Sequence, residues 1–94
     1  MYAAVRRYEG VTDPPEVARL VREGFVPLVR RIPGFVAFYW IDAGNGVFAS
    51  TSVFQDQAGA EESTMKASHF VRDNLASRLP NPPQVTAGEV GASA

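Results

Sequence analysis

Two apolar stretches, Val36 to Ile41 and Val47 to Phe54, dominate the hydrophobic pattern of the chain. The first is an unbroken run of β-branched, aromatic and small residues. The second alternates large with small until Gln55 and Asp56 end it, and together they predict two strands. Between them Ala43-Gly44-Asn45-Gly46 supplies residues that reach positive φ at little steric cost, so the strands should close into a hairpin. Opposing Asp42 to Val47 sets Phe35 against Phe54, Ala37 against Ser52 and Tyr39 against Ser50. One face then carries Phe35, Ala37, Tyr39, Ile41, Phe48, Ser50, Ser52 and Phe54, a mixture of aromatics with a phenol and hydroxyls. The other carries Val36, Phe38, Trp40, Val47, Ala49, Thr51 and Val53, with one hydroxyl and no charge. Helices of a small domain cover one sheet face, and an uncovered apolar face usually marks an interface. The drier face is therefore assigned to self-association.

Around this hairpin the periodicity places four more elements. Tyr2 to Tyr8 alternates as a strand, and Glu9-Gly10 ends it. Asp13 before Pro14-Pro15-Glu16 is a helix start, with an Asp cap, prolines where a missing N–H costs nothing, and an acid at the positive end of the dipole. Val17, Leu20, Val21, Phe25, Leu28, Val29 and Ile32 form the apolar stripe of that helix. Pro27 falls inside it, which predicts a kink or short break between Gly24 and Pro27, and Pro33-Gly34 stops it. Asp56 caps a second helix expected over 58–77, with Ala60, Ala67, Phe70, Val71 and Leu75 on its apolar side and Ser63 and Thr64 alongside. Pro80-Asn81-Pro82-Pro83 reads as a stiff connector, 84–90 as a last strand, and 91–94 as a disordered tail. The order β-α-β-β-α-β is that of a ferredoxin-like α+β fold, a four-stranded antiparallel sheet with two helices on one face, in a single domain over 1–90.

Composition narrows the chemistry. Nine basic against ten acidic side chains give a net charge of −1, which leaves no electrostatic footprint for nucleic acid. The absence of Cys excludes disulfides, thiolate nucleophiles and Cys-bound metals. No apolar run approaches the roughly 20 residues of a membrane span, and the N-terminus lacks a secretory layout, so the expected location is cytoplasmic with no membrane partner.

The segments RRIPGFVAFYWID (30–42) and VFASTSVFQDQAGAEES (47–63), set in this element order, resemble the dimeric α/β barrel superfamily, most closely the antibiotic-biosynthesis-monooxygenase-like (ABM) domains. The matching positions are Pro33-Gly34-Phe35, Phe54, and the acids Asp56, Glu61 and Glu62. The resemblance implies a homodimer in which two sheets pack face to face, with a pocket in each subunit between its own sheet and helices. It also implies oxygenation without a cofactor, the substrate supplying the electrons. Many such domains end the third strand with a Glu, one residue, then a Trp, and place a His about nine residues on; here Ser52, Phe54 and Ser63 stand at those places. Members that degrade haem use an Asn, a Trp and a His, and the first strand here has no Asn, so haem degradation is not expected.

Tyr39, Ser50, Ser52 and Phe54 are the ligand-pocket candidates, since hydrocarbon walls with a few polar handles orient a small apolar ligand. Arg6 and Tyr8, two residues apart at the end of the first strand, either steady an anionic or phenolate oxygen, with Arg6 joining the pocket set, or form an edge or rim feature, and the pattern leaves their face open. The alternative is that the hydroxyls simply bond to backbone or water under the helices. Val36, Phe38, Trp40, Ala49, Thr51 and Val53 are the interface candidates, with Phe38 and Trp40 as anchors. His69, the only histidine, points away from the helical stripe and reads as a surface residue; no metal site and no bound cofactor are expected. Two functions follow: a homodimeric ABM-like domain oxidising small aromatic or phenolic molecules, or a non-catalytic ligand-binding or assembly module.

Overall fold

Alternation in the first strand is reproduced directly: in β1 (Tyr2–Tyr8) Ala4, Arg6 and Tyr8 are buried while Val5 and Arg7 are exposed. A computed structural model describes residues 1–94. After β1 the chain forms α1 (Pro14–Leu20), a π-helical turn (Val21–Phe25) and α2 (Val26–Val29). These follow one another as a single interrupted rod that buries Val17, Val21, Phe25 and Val29. The expected irregularity before Pro27 is this π turn. It ends two residues ahead of the proline, with the N–H of Val26 bonded to the carbonyl of Val21, so the widened turn absorbs the donor that Pro27 lacks. Asp13 starts the rod but does not cap it through its side chain. Its backbone is left-handed, with φ 52°, and its carbonyl accepts the N–H of Glu16 and of Val17 at 3.1 Å. The carboxylate turns instead toward Arg78, 3.7 Å away.

Asp56 caps as expected: its Oδ1 accepts the N–H of Gly59 at 2.9 Å and opens α3 (Gln57–Phe70). A second π-helical turn (Val71–Leu75) continues α3, and β4 (Gln84–Glu89) completes the sheet. The four strands are antiparallel in the order β2-β3-β1-β4. Both helical rods pack on one face, where Tyr8, Phe25, Phe48, Phe54, Ala67 and Leu75 belong to one continuous core.

The hairpin of β2 (Phe35–Gly44) and β3 (Val47–Phe54) departs from the simple register. Asn45 and Gly46, at φ 55° and 74°, form a two-residue turn with positive φ at both centres, which pairs Gly44 with Val47. Gly44, at φ 84°, then shifts the pairing so that Asp42 faces Phe48, and a second irregularity at Val36 restores Phe35 opposite Phe54. Between the two shifts every β2 side chain is exchanged between faces. Phe38 opposes Ser52 and Trp40 opposes Ser50, so both aromatics lie under the helices and not on the free face. Tyr39 opposes Thr51 and is 60% exposed. Val36, Ala49, Thr51 and Val53 stay outside the core, as assigned, whereas Phe38 and Trp40 do not. The free face therefore presents Val5, Thr51 and Tyr39 in one row across three strands, with Ile41 beside them. No helix is long and apolar enough to cross a membrane.

Candidate functional site

The largest fully buried side chain is a cation. Arg6 is 1% exposed, at the centre of β1, and every hydrogen bond its guanidinium makes goes to a hydroxyl. Nε donates to Ser50 at 3.0 Å and Nη2 to Ser52 at 2.5 Å, both on β3. Nη1 donates to Thr64 at 2.9 Å and to Ser63 at 3.4 Å, both on α3. The Ser63 hydroxyl donates its own hydrogen bond to the carbonyl of Ala60 at 2.7 Å, which leaves its lone pairs free for the arginine. Four hydroxyls engage four of five N–H groups, and no acid forms a salt bridge with this residue. Burial pulls the Arg6 guanidinium below its ordinary pKa range, with Tyr8 partly opposing that. An arginine nevertheless keeps its proton in a protein, so this is a buried positive charge solvated only by dipoles.

Tyr8 follows Arg6 on the same face. Burial raises its phenol above the usual range, and the Arg6 charge works in the other direction. The Tyr8 ring sits 5.8 Å from that of Trp40, which in turn stacks on Phe48 at 5.1 Å. Trp40 Nε1 is buried without a hydrogen-bond partner, the only side-chain donor in the protein so placed. An unpaired buried N–H costs about 1–3 kcal/mol.

Two spaces meet at this cluster. A small, half-open pocket of about 20 Å³ lies between the sheet and both π turns, lined by Tyr8, Trp40, Ser50, Phe38, Val21, Phe25, Ala67, Phe70, Val71 and Leu75. A solvent-open groove of about 480 Å³ runs between α3, β4 and the proline-rich connector. Its walls include Arg6, Tyr8, Thr64, Ser68, Arg72, Asn81 and Val85, with no acidic residue among them. Tyr8 and Val71 line both spaces. A ligand in the groove can reach the Arg6–Tyr8 wall, and its walls suit an anion.

Of the sequence-derived pocket set, Arg6, Ser50 and Ser52 come together as one hydrogen-bonded unit. Phe54 is fully buried beside Phe35, ring centres 5.8 Å apart, and belongs to the core. Tyr39 lies on the opposite face of the sheet because of the register shifts. Ser63 and Thr64 were legible as polar breaks in the apolar side of α3, opposite a strand carrying an arginine. His69 is exposed, and no group of three or more His, Asp or Glu residues is arranged to hold a metal ion.

No protein-family model matches the chain, and neither does any curated protein. Solved structures do. The monooxygenase from the gene ActVA-Orf6 of Streptomyces coelicolor, solved with the ligand Nanaomycin D, is 17% identical over 99% of this chain and 89% of that one, with a TM-score of 0.74. SnoaB, a cofactor-independent oxygenase from Streptomyces nogalater in a mutant form, is 16% identical over 98% of this chain and 94% of that one, with a TM-score of 0.68. NE2512, a protein of unknown function from Nitrosomonas europaea, is 24% identical over 99% of this chain and 91% of that one, with a TM-score of 0.74. At such identities the likeness is one of fold, and the three proteins do not share one described activity. By its strand order, its helix placement and these neighbours, the chain has the fold of the antibiotic-biosynthesis-monooxygenase-like domains.

Proposed function

We propose that this protein is a cytoplasmic homodimer that binds small aromatic molecules bearing a phenolate in the groove beside Arg6 and oxidises them with molecular oxygen, without a metal or an organic cofactor. One observation carries the reading: a buried guanidinium held by hydroxyls and lacking a counter-anion, next to a groove without acids. A phenolate oxygen there would supply the missing negative charge, and a charge-assisted hydrogen bond in a site of low dielectric lowers the ligand's pKa. Ser50 and Ser52 fix the guanidinium plane, and Tyr8 offers a neutral phenol at ordinary pH.

The phenolate is the reductant in this scheme. It loses electrons to oxygen, a carbon–oxygen bond forms at the activated ring position, and the resulting hydroperoxide breaks its O–O bond to leave a quinone. Phenol plus oxygen becomes quinone plus water: one oxygen atom stays on the ring, and the other leaves with two hydrogens from the substrate. The protein's part is to hold the phenolate and exclude competing protons. The dimer would form by burying the row of Val5, Thr51 and Tyr39 against its copy, since the helices leave that face open.

A second reading is a non-catalytic ligand carrier, favoured by the absence of any histidine or carboxylate lining the small pocket or the groove. Oxygen uptake separates the two. With two- and three-ring phenols and no added metal or flavin, the oxygenase consumes one oxygen per quinone formed. Ligand binding without uptake by any phenol of the panel leaves the carrier.

A further inference from the structure

We propose that the groove beside Arg6 continues along β1 and β4 as a trench for a linear alkyl tail, so that the ligands of this site are phenols carrying such a tail. The inference rests on the phenolate reading of the groove and adds an apolar subsite to it. A further solvent-open groove of about 200 Å³ lies between α3 and the paired strands β1 and β4. Tyr2 and Ala4 line it from β1, Ala60 and Glu61 from α3, and Ala87 from β4. Thr64 and Val85 line it too, and both also line the groove beside Arg6, so the two spaces adjoin at that pair.

The sheet register explains why this space is open. Val85 pairs with Arg6 and Ala87 with Ala4, and directly opposed residues project on the same face. Arg6 and Ala4 are each 1% exposed beneath α3, whereas Val85 is 48% exposed and Ala87 is exposed as well. β4 is the outermost strand, and α3 stops short of covering its helix-side face. From Arg6 to Tyr2 the trench follows four residues of β1, about 13 Å, the length of an extended alkyl chain of about ten carbons.

Charge gives the trench a direction. At one end Arg6 keeps one Nη2 N–H without a partner, its other four N–H groups being taken by hydroxyls, and no acid lines the groove there. At the other end stands Glu61, whose Oε1 accepts from Gln57 Nε2 at 2.9 Å. Between them the walls are three alanines, a valine and a tyrosine. An anionic head is attracted to Arg6, a second anion is repelled at Glu61, and a neutral hydrocarbon lies between.

The test is a binding series of 2-nitrophenols with linear 4-alkyl chains from methyl up to about ten carbons, ionised in mildly alkaline buffer, added to isotope-labelled full-length protein. Affinity should rise about twofold per methylene and level off near ten carbons, because an open trench covers one side of the chain. The Thr64 amide should shift with every homologue, and the Tyr2, Ala60 and Ala87 amides only with the longer ones. Ala87→Phe alters an exposed edge-strand position outside the Arg6 groove and fills the trench. It should abolish the gain from chain length and leave the affinity of the methyl homologue unchanged. A chain ending in a carboxylate should bind about tenfold more weakly than its methyl ester, and Glu61→Gln should remove most of that difference. Binding of the methyl homologue at Arg6 with affinity independent of chain length overturns the trench and leaves the phenolate site standing. So does a chain-length gain that survives Ala87→Phe, or one accompanied by shifts at Val5 and Tyr39 on the free face. No binding of the methyl homologue, with long chains bound equally well by Arg6→Met, refutes the phenolate reading and with it the orientation of the tail.

Discussion

Arg6 and Ser50 are register partners on β1 and β3, and the arginine Nε donates to the serine hydroxyl at 3.0 Å in the buried centre of the sheet. This pair, with Ser52 and the two hydroxyls of α3, solvates a buried positive charge with dipoles alone.

The two partners should respond differently to truncation. Ser50→Ala leaves a charged N–H buried without an acceptor, and should lower the unfolding free energy by about 1–3 kcal/mol in urea titrations. Arg6→Met removes the charge itself and should leave stability unchanged or raised, because a well-packed apolar side chain often equals or exceeds a buried ion. The same variant should abolish phenolate binding. Arg6→Met more destabilising than Ser50→Ala would mean that the guanidinium is a structural keystone.

Alkaline titration should expose Tyr8. Burial raises its phenol above the ordinary value of 10.0, so in the pH range just above 10 the unfolded chain has released this proton while the folded chain retains it. The unfolded state then binds fewer protons, and stability falls as pH rises from about 10 to the folded-state pKa. Burial also lowers the Arg6 pKa, but the arginine keeps its proton over this range and adds no slope there. Equilibrium unfolding between pH 8 and 11 should therefore show a decline that is shallower in Tyr8→Phe than in the wild type.

On the free face, Thr51 sits between Val5 and Tyr39. Thr51→Glu should yield a folded monomer by light scattering, since the charge would be buried only in the dimer. Trp40→Glu should unfold the chain instead, because that side chain packs on Phe48 beneath the helices. A Trp40→Glu protein that stays folded and loses its dimer would restore the simple hairpin register.

Gly59, in the first turn of α3, is a packing requirement. A Cβ there would lie 2.6 Å from Phe54 Cδ1 and 3.0 Å from the carbonyl oxygen of Pro33, a backbone atom that cannot swing aside. Gly59→Ala should lower stability by about 1–2 kcal/mol, the overpacking penalty exceeding the roughly 1 kcal/mol gained from helix propensity. A neutral or higher melting temperature would contradict the close approach of α3 to β3.

Period-two and 3.6-residue patterns made the strands and helices legible, and the Asp56 cap appeared where an Asp precedes a polar helix start. The face assignment within β2 was not legible from alternation alone. A uniform register carries Phe38 and Trp40 outward, and each of two local shifts, at Val36 and at Gly44, moves the pairing by one residue. The Asn45-Gly46 dipeptide held part of the answer, since it specifies a two-residue turn and hence the Gly44–Val47 pair. Size complementarity held the rest: Phe38 and Trp40 fit over Ser52 and Ser50, small residues that leave room beneath the helices. Arg6 was visible as a cation on the face of Tyr8, but its burial depends on hydroxyls from two distant segments, and no local pattern brings those together.

The central claim is that an anionic aromatic ligand binds at Arg6. Its most direct test is an NMR titration of labelled protein with a panel of phenols, following the Arg6 Nε–H, the Thr64 and Val85 amides and the Trp40 indole proton. The account predicts saturable shifts centred on Arg6 Nε–H, strengthening with the acidity of the phenol and absent in Arg6→Met. Shifts confined to Val5, Tyr39 and Thr51 on the open face, or binding that survives unchanged in Arg6→Met, would contradict it.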